Sequence, residues 1–328
     1  MVSALLDVRR LEVSASSQSG PLTLLHGVNL RLLPGHVIGI VGESGSGKTT
    51  LTRSVAGFLD RNCRVVSGEV AFDDRVVASA DLQPKPAGAS HLGLVLQSPM
   101  ASLNPVLKIG TQMAEVLRAN KVQQRKSRMR ATLTSVGFAD PDPVLGSYPH
   151  QLSGGMAQRA AIALAMLCEP RVLIGDECTT ALDASLQARV VAHFRRIADE
   201  ESAGVLMVTH DLALASEVCD ELIIMHAGEV VESGPLASVL RTPRHRYTAS
   251  LIDAVPSSTQ KRPILTPPDG RSDYYREDCA DPGWCASHPP TSSHPYWTVE
   301  PDGHGHRCVY ADRAESSRDQ TKGHHVLP

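Results

Sequence analysis

The stretch Gly42–Thr49, GESGSGKT, packs three glycines, three hydroxyl residues and one lysine into eight positions. It directly follows the apolar run HVIGIVG and leads into a helical pattern. A glycine-rich turn between a strand and a helix presents converging backbone N–H groups, and the helix N-terminus adds a positive dipole end. That combination suits phosphate oxygens. Gly42, Glu43, Ser44, Gly45, Ser46 and Gly47 would cradle the β- and γ-phosphates of a nucleotide. Lys48 would reach the same phosphates, Thr49 would ligate Mg²⁺, and Thr50 would follow in the first helical turn. A second segment supplies the complementary chemistry. In RVLIGDE an apolar run ends in Asp176 and Glu177. Asp176 could hold the Mg²⁺ through water, and Glu177 could polarise an attacking water. An acidic strand end is common by itself; beside a phosphate loop it specifies nucleoside triphosphate hydrolysis.

These residues need elements to hold them. The runs HVIGIVG, HLGLVLQ, RVLIGDE and GVLMVTH read as buried strands, with helical periodicity between them. After GKTT, Leu51, Val55, Phe58 and Leu59 mark one helical face; Leu186, Val190, Phe194 and Ile197 mark another. Alternating strands and helices predict an α/β domain with a mainly parallel sheet. Residues from about 99 to 164 carry helical patterns and no strong strand, which reads as an inserted helical subdomain. ELIIMHAGEVVESG reads as two strands around a His-Ala-Gly turn. From about Pro235 the composition shifts to proline, histidine and serine, and the last stretch reads as disordered. The expected division is 1–240 for the main domain, 241–310 for a loop-rich extension and 311–328 for a tail.

Bulk properties exclude several classes. A formal net charge of −3 over 328 residues gives no reason to expect nucleic acid as partner. No apolar stretch approaches the roughly 20 residues that span a bilayer. The segment MVSALLDVRRLEV has its arginines after the apolar run, unlike a signal peptide. Seven cysteines, without an export signal, argue for a reduced cytoplasmic chain rather than a disulfide framework.

LSGGMAQR, residues 152–159, resembles the signature sequence of ATP-binding cassette (ABC) ATPases. The other motifs follow in family order: Gln97 after a strand, LIGDE, then ALD at 181–183, then His210 in VTHDL. The resemblance covers about residues 5 to 255. It implies a P-loop NTPase with a RecA-like core, an antiparallel β subdomain and a helical insertion. Ser153, Gly154, Gly155 and Gln158 would then cap the ATP held by an opposite subunit. Gln97 would contact Mg²⁺ or the lytic water, His210 the γ-phosphate, and Asp183 would lie at the dimer seam. There are departures. Cys178 stands where the family usually has proline, and Gly175 where alanine is common. Neither removes a charge or a ligand, so hydrolysis is expected to survive, with Cys178 a small buried filler. The family also stacks adenine on an aromatic residue upstream of the phosphate loop. Here no Phe, Tyr or Trp precedes Phe58, and SASSQSGP occupies that region.

LQSPMASLNPV, YPHQLSGGMAQR and PRHRYTASLIDAVP resemble segments of oligopeptide, dipeptide and nickel importer ATPases, although Arg246 replaces a usual proline. Without that resemblance the last segment is an amphipathic helix with Leu251, Ile252 and Val255 on one side. The resemblance implies a peripheral subunit on the cytoplasmic face of the membrane. It would pair with a second cassette, more often a different one than a copy. It would dock on two transmembrane permease subunits and be served by an extracytoplasmic solute-binding protein. Peptide import is the first reading and nickel or metal-chelate import the second. Half-exporters and non-transport ABC ATPases fit less well, for want of a fused membrane domain, a second cassette or a long coiled-coil insertion.

The same family often carries a four-cysteine iron–sulfur site after the cassette. Cys279 and Cys285 match its first pair and Cys308 its last, while Ser292 falls where the remaining thiolate would be. His294 is the nearest substitute, and His288, His304 and His306 lie in the same stretch. A [4Fe–4S] cluster, a Cys₃His zinc site and a metal-free tail all remain open.

Overall fold

The computed structural model describes residues 3–18, 20–82, 91–96, 98, 102–179, 182–255, 297–299 and 305–307. Gln97, Ala181, Cys279, Cys285, Ser292, His294 and Cys308 fall outside them, as do residues 311–328. The chain divides into two units, one of residues 1–220 with 227–229 and one of 221–226 with 230–328.

The first unit contains two sets of strands. β1 (Leu6–Ser17), β2 (Gly20–Leu32), β4 (Cys63–Phe72) and β5 (Arg75–Ser79) form an antiparallel sheet in the order β2-β1-β4-β5. Leu6 of β1 faces Leu32 on one side and Phe72 on the other. These strands mix apolar and polar residues, because only part of each is buried. The second set is parallel: β3 (Val37–Val41), β8 (Gly204–Thr209), β7 (Val172–Asp176) and β6 (Leu92–Val95), side by side in that order. Every residue of β3, β7 and β8 is buried, the pattern of strands covered on both faces. In-register pairing places Val41 beside Thr209 and Asp176 beside Val208. The carboxyl ends of β3, β7 and β8 therefore share one edge. The four apolar runs read from sequence are these four strands.

Helix α1 (Lys48–Ala56) begins at Gly47 and stops at Gly57, which takes the left-handed conformation at φ 76°. Leu51 and Val55 are buried as expected. Phe58 lies beyond the helix and is 53% exposed, so the expected face is one turn shorter than its apolar pattern. Helices α2 (Ile109–Ala119), α3 (Arg125–Ser135), α4 (Pro141–Gly146) and α5 (Gly154–Met166) fill the region between β6 and β7. Gly110 lets α2 approach α4 closely; a Cβ there would sit 2.8 Å from the Leu145 carbonyl oxygen. Gln112 of α2 donates to the carbonyls of Asn104 (3.0 Å) and Leu107 (2.9 Å) and accepts from the Asn104 N–H (2.9 Å). These bonds shape the turn that leaves Val106 74% exposed. Helix α6 (Ala184–Glu201) is capped by Asp183, whose side chain accepts from the Leu186 N–H at 3.0 Å. Val190, Phe194 and Ile197 line its buried face. Helix α7 (Leu212–Val218) follows β8 and is capped by Asp211.

The second unit contains β9 (Glu221–His226) and most of β10 (Glu229–Pro235), the two strands expected around His-Ala-Gly. Helices α8 (Leu236–Arg241) and α9 (Arg246–Asp253) follow, then β11 (Trp297–Val299) and β12 (Gly305–Arg307). β12 pairs with β10, His306 standing opposite Glu232. Buried Glu232 accepts from the backbone N–H groups of Arg244 (2.8 Å) and His245 (2.9 Å). The Tyr247 ring lies 4.4 Å from that of His226. These contacts turn Tyr247 and Thr248 inward, rather than the Leu251, Ile252 and Val255 face that periodicity suggests. A buried carboxylate gripping the helix entry outranks the apolar stripe.

One buried histidine gives the first unit a pH dependence. His193 of α6 is driven down to about 4 by burial and then by the neighbouring Arg196 guanidinium, which donates to its Nδ1 at 3.0 Å. The folded state thus keeps His193 neutral, whereas the unfolded chain protonates it near 6.5. Stability is lost as pH falls between those values, by up to about 3 kcal/mol. Melting temperatures at pH 7 and pH 5 should therefore differ less in His193→Gln than in the wild type. Equal differences would contradict this account.

Candidate nucleotide site

The loop after β3 closes on a lysine. Lys48, 5% exposed, donates its ammonium to the carbonyls of Gly42 (2.7 Å) and Glu43 (2.8 Å). Burial lowers its pKa, and the carboxylates of Glu177, Asp176 and Glu43 work in the opposite direction. Gly47 begins α1 with φ 99°, a conformation in which a side chain would be strained. A Cβ there would also lie 3.0 Å from Leu25 Cδ2 and 3.2 Å from Gly228 Cα. The first turn of α1 holds no acidic residue, so nothing of that sign competes at its N-terminus.

A cavity of about 360 Å³ opens over this loop, lined by Leu24, Ser44, Gly45, Gly47, Lys48, Thr49, Thr50 and Glu177. Phosphate-loop residues and the acid after β7, far apart in sequence, meet here. Asp176 is buried beside it. Its Oδ2 accepts from Thr52 Oγ1 at 3.3 Å, while its Oδ1 has no hydrogen-bond partner among the described residues. Burial raises the Asp176 pKa, and hydrogen bonds from Thr49 and Thr52 pull it back. A buried carboxylate oxygen without a donor, next to a threonine hydroxyl at a phosphate cradle, fits a hard divalent cation. Glu177 leaves β7 with φ 48° and donates its N–H to the Val208 carbonyl at 3.0 Å. Its Oε1 lies 3.9 Å from Nδ1 of His210, which is 60% exposed at the end of β8.

The signature residues sit elsewhere. Ser153 caps α5, accepting from the Met156 N–H at 3.3 Å, and Gly154 and Gly155 form its first turn. That turn carries no acid, so it is a second helix N-terminus open to an anion. Among the described residues lining the cavity there is no Ser153, Gly154, Gly155 or Asp183. Gln158 is fully buried and donates to the carbonyl of Cys178. Cys178 is itself buried, and its thiol is pushed up to about 12 by burial, so it stays protonated as a packing group. Among the described residues no cluster of three or more His, Cys, Asp or Glu could hold a metal ion. Two contributors escape a reading of sequence. Thr52 signals only by lying one turn after Thr49, and Leu24 carries no polar group.

A family model described as ABC transporter matches residues 25–180. The dipeptide transport ATP-binding protein DppD of Haemophilus influenzae is 36% identical over 266 residues, spanning 80% of this chain and 81% of that one. This chain belongs to the ABC transporter family. The DppD protein of Bacillus subtilis is likewise 36% identical, over 270 residues and 81% of both chains. In structure, the dimeric bacterial ABC transporter cassette MJ0796 superposes with a TM-score of 0.63. It covers 70% of this chain and 98% of that one at 24% identity, a likeness of fold. The chain is an ABC ATPase with the mixed parallel and antiparallel architecture of a cassette. No helix among the described residues is long and apolar enough to cross a membrane.

The cavity wall bears on base recognition. Leu24 is its apolar lining residue upstream of the loop, and Leu22 is 58% exposed. An aromatic stack is worth roughly 1 kcal/mol beyond burial. With Leu24 there, neither a ring to stack on the base nor a polar side chain to read its edge, this cassette should bind ATP and GTP within about tenfold of each other. Titration with both nucleotides checks this; a strong preference for ATP would contradict it.

Proposed function

We propose that this cassette hydrolyses MgATP to drive import of peptides through a membrane permease. The observation that carries this reading is the match along four fifths of the chain to dipeptide transport ATP-binding proteins, combined with a hydrolytic set built around one cavity. The solute therefore follows the relatives, and the chemistry follows the side chains.

In this reading the amides of Gly42–Gly47 and Lys48 hold the β- and γ-phosphates. Thr49 and Asp176, with Gln97, hold Mg²⁺, which when bound neutralises charge developing on the phosphates. Thr52 keeps the Asp176 carboxylate aimed. Glu177 accepts a proton from the attacking water, and His210 steadies the γ-phosphate. Ser153, Gly154 and Gly155 are not among the described residues lining the cavity and in this reading serve the nucleotide of a second cassette, with Asp183 at the seam. Gln158, fully buried on the Cys178 carbonyl, is not placed to reach that nucleotide. ATP then acts as glue between two cassettes, and hydrolysis releases them.

The partners follow from the same reading. The second cassette is a different chain rather than a copy, and two permease subunits dock near Gln97 and the turn around Val106, whose exposed apolar tip is braced by Gln112. An extracytoplasmic binding protein supplies the peptide, and the cassette works on the cytoplasmic face of the membrane. Residues 1–240 form the ATPase domain, and 241–310 the extension.

Glu177→Gln should bind MgATP normally, accumulate an ATP-bound dimer and lower turnover by at least about a hundredfold. Unchanged turnover would remove Glu177 from its role. For the solute, the cassette should be reconstituted with its permease and binding protein. Stimulation of ATP turnover by peptide-loaded binding protein supports import of peptides, and stimulation by nickel or a chelate alone replaces it.

For the tail, the proposal rests on sequence: Cys279, Cys285 and Cys308, completed by His294, hold an iron–sulfur cluster or zinc. Anaerobic purification should yield bound iron with sulfide, or zinc, and His294→Ala should reduce it. Folded protein without either metal would overturn the proposal.

A further inference from the structure

Glu177 follows β7 in a left-handed backbone conformation at φ 48°, which a residue with a side chain holds only when its neighbours impose it. Three contacts hold the residues on either side of it. Gly175 and Cys178 share one notch: a Cβ on Gly175 would lie 2.8 Å from Cys178 Sγ and 3.2 Å from Phe194 Cε2. The sulfur thus occupies space that any larger residue at 175 would claim. On the other side two glutamine amides take successive carbonyls of the turn. Gln158 of the signature helix α5 donates to Cys178 O, and Gln187 of α6 donates to Thr179 O at 2.9 Å. Residues 178–179 are therefore held by a sulfur packed against the strand and by donors from two separate helices.

We propose that Gly175, Cys178, Gln158 and Gln187 form a clasp that sets the direction of the Glu177 carboxylate and so the rate of hydrolysis. They are positioning residues. The inference rests on the reading of Glu177 as the group that activates water. The strand itself is the rigid partner, because Gly175 is paired on both sides, to Val95 of β6 and Met207 of β8. Strain introduced in the notch therefore falls on the turn after the strand, and the phosphate cradle of residues 42–49 is left in place. The clasp also ties α5, whose N-terminus would meet the partner's nucleotide, to the residue following Glu177. Gly175 and Cys178, each unusual beside the family pattern, are on this account one paired feature.

The test uses the purified full chain, with steady-state ATP hydrolysis, MgATP affinity and thermal melting measured side by side. Gly175→Ala should lower kcat by about tenfold or more while KM and MgATP affinity stay within about twofold. Adding Cys178→Ala in the same chain empties the notch of its sulfur and should restore much of kcat, leaving the tighter approach to Phe194. Should Gly175→Ala not fold, Cys178→Val crowds the same notch from the other side and Gln187→Leu frees the Thr179 carbonyl. Both should show the same kcat-selective loss. Unchanged kcat in the crowding variants, a loss shared equally by KM and affinity, or no relief from removing the sulfur would each overturn the clasp. Glu177→Gln run in parallel separates the two ideas. If that variant keeps full turnover, the reading of Glu177 fails; if it is inactive while the notch variants match the wild type, only the clasp fails.

Discussion

The nucleotide site depends on a buried ammonium group. Lys48 sits almost out of solvent, and its charge is tolerated because two carbonyls of the preceding loop accept from it and three carboxylates lie nearby. Burying such a charge unpaired would be prohibitive, so the loop must fold back around it. That fold needs Gly45 and Gly47 at positive φ, with α1 starting at once after the second. The result is a loop folded around a positive charge at a helix N-terminus. Its ordinary complement is a polyphosphate.

The parallel strands make this loop useful by bringing other groups to it. β3 delivers the loop, β7 delivers Asp176 and Glu177, and β8 delivers His210, all at strand ends on a common edge. The continuous apolar burial of these strands is thus both the core of the first unit and the device that aligns the site. Phe194, packed from α6 against Gly175, joins the two roles. Its loss would cost stability, of the order of 3–5 kcal/mol for a buried phenylalanine, and would also open the space behind the acidic turn.

The two helix N-termini divide the labour proposed for the cassette. The one at Lys48 lines the cavity; the one at Gly154 is not among the described residues that line it. On that proposal, a chain whose described residues offer a phosphate cavity and a second helix N-terminus outside its lining has a use for another copy of its fold. Gln158 links that second end to the turn after Glu177 through a single amide. A disturbance at either end has a short path to the other.

The amino-acid sequence by itself determined the local chemistry. The phosphate loop, the acidic strand end and the signature turn are each contiguous, so the groups within each motif are neighbours along the chain. The four parallel strands were legible for the same reason, because burial on both faces writes an unbroken apolar run. The strands of the sheet β2-β1-β4-β5 were visible only through family resemblance, since partial exposure breaks that signal. Tertiary structure decided the rest. It buried Lys48, aimed Thr52 at Asp176, turned Tyr247 rather than Leu251 inward, and packed the Cys178 sulfur over Gly175. Each of these sets a polar or small group by contacts with other elements, and no local periodicity encodes which neighbour will arrive.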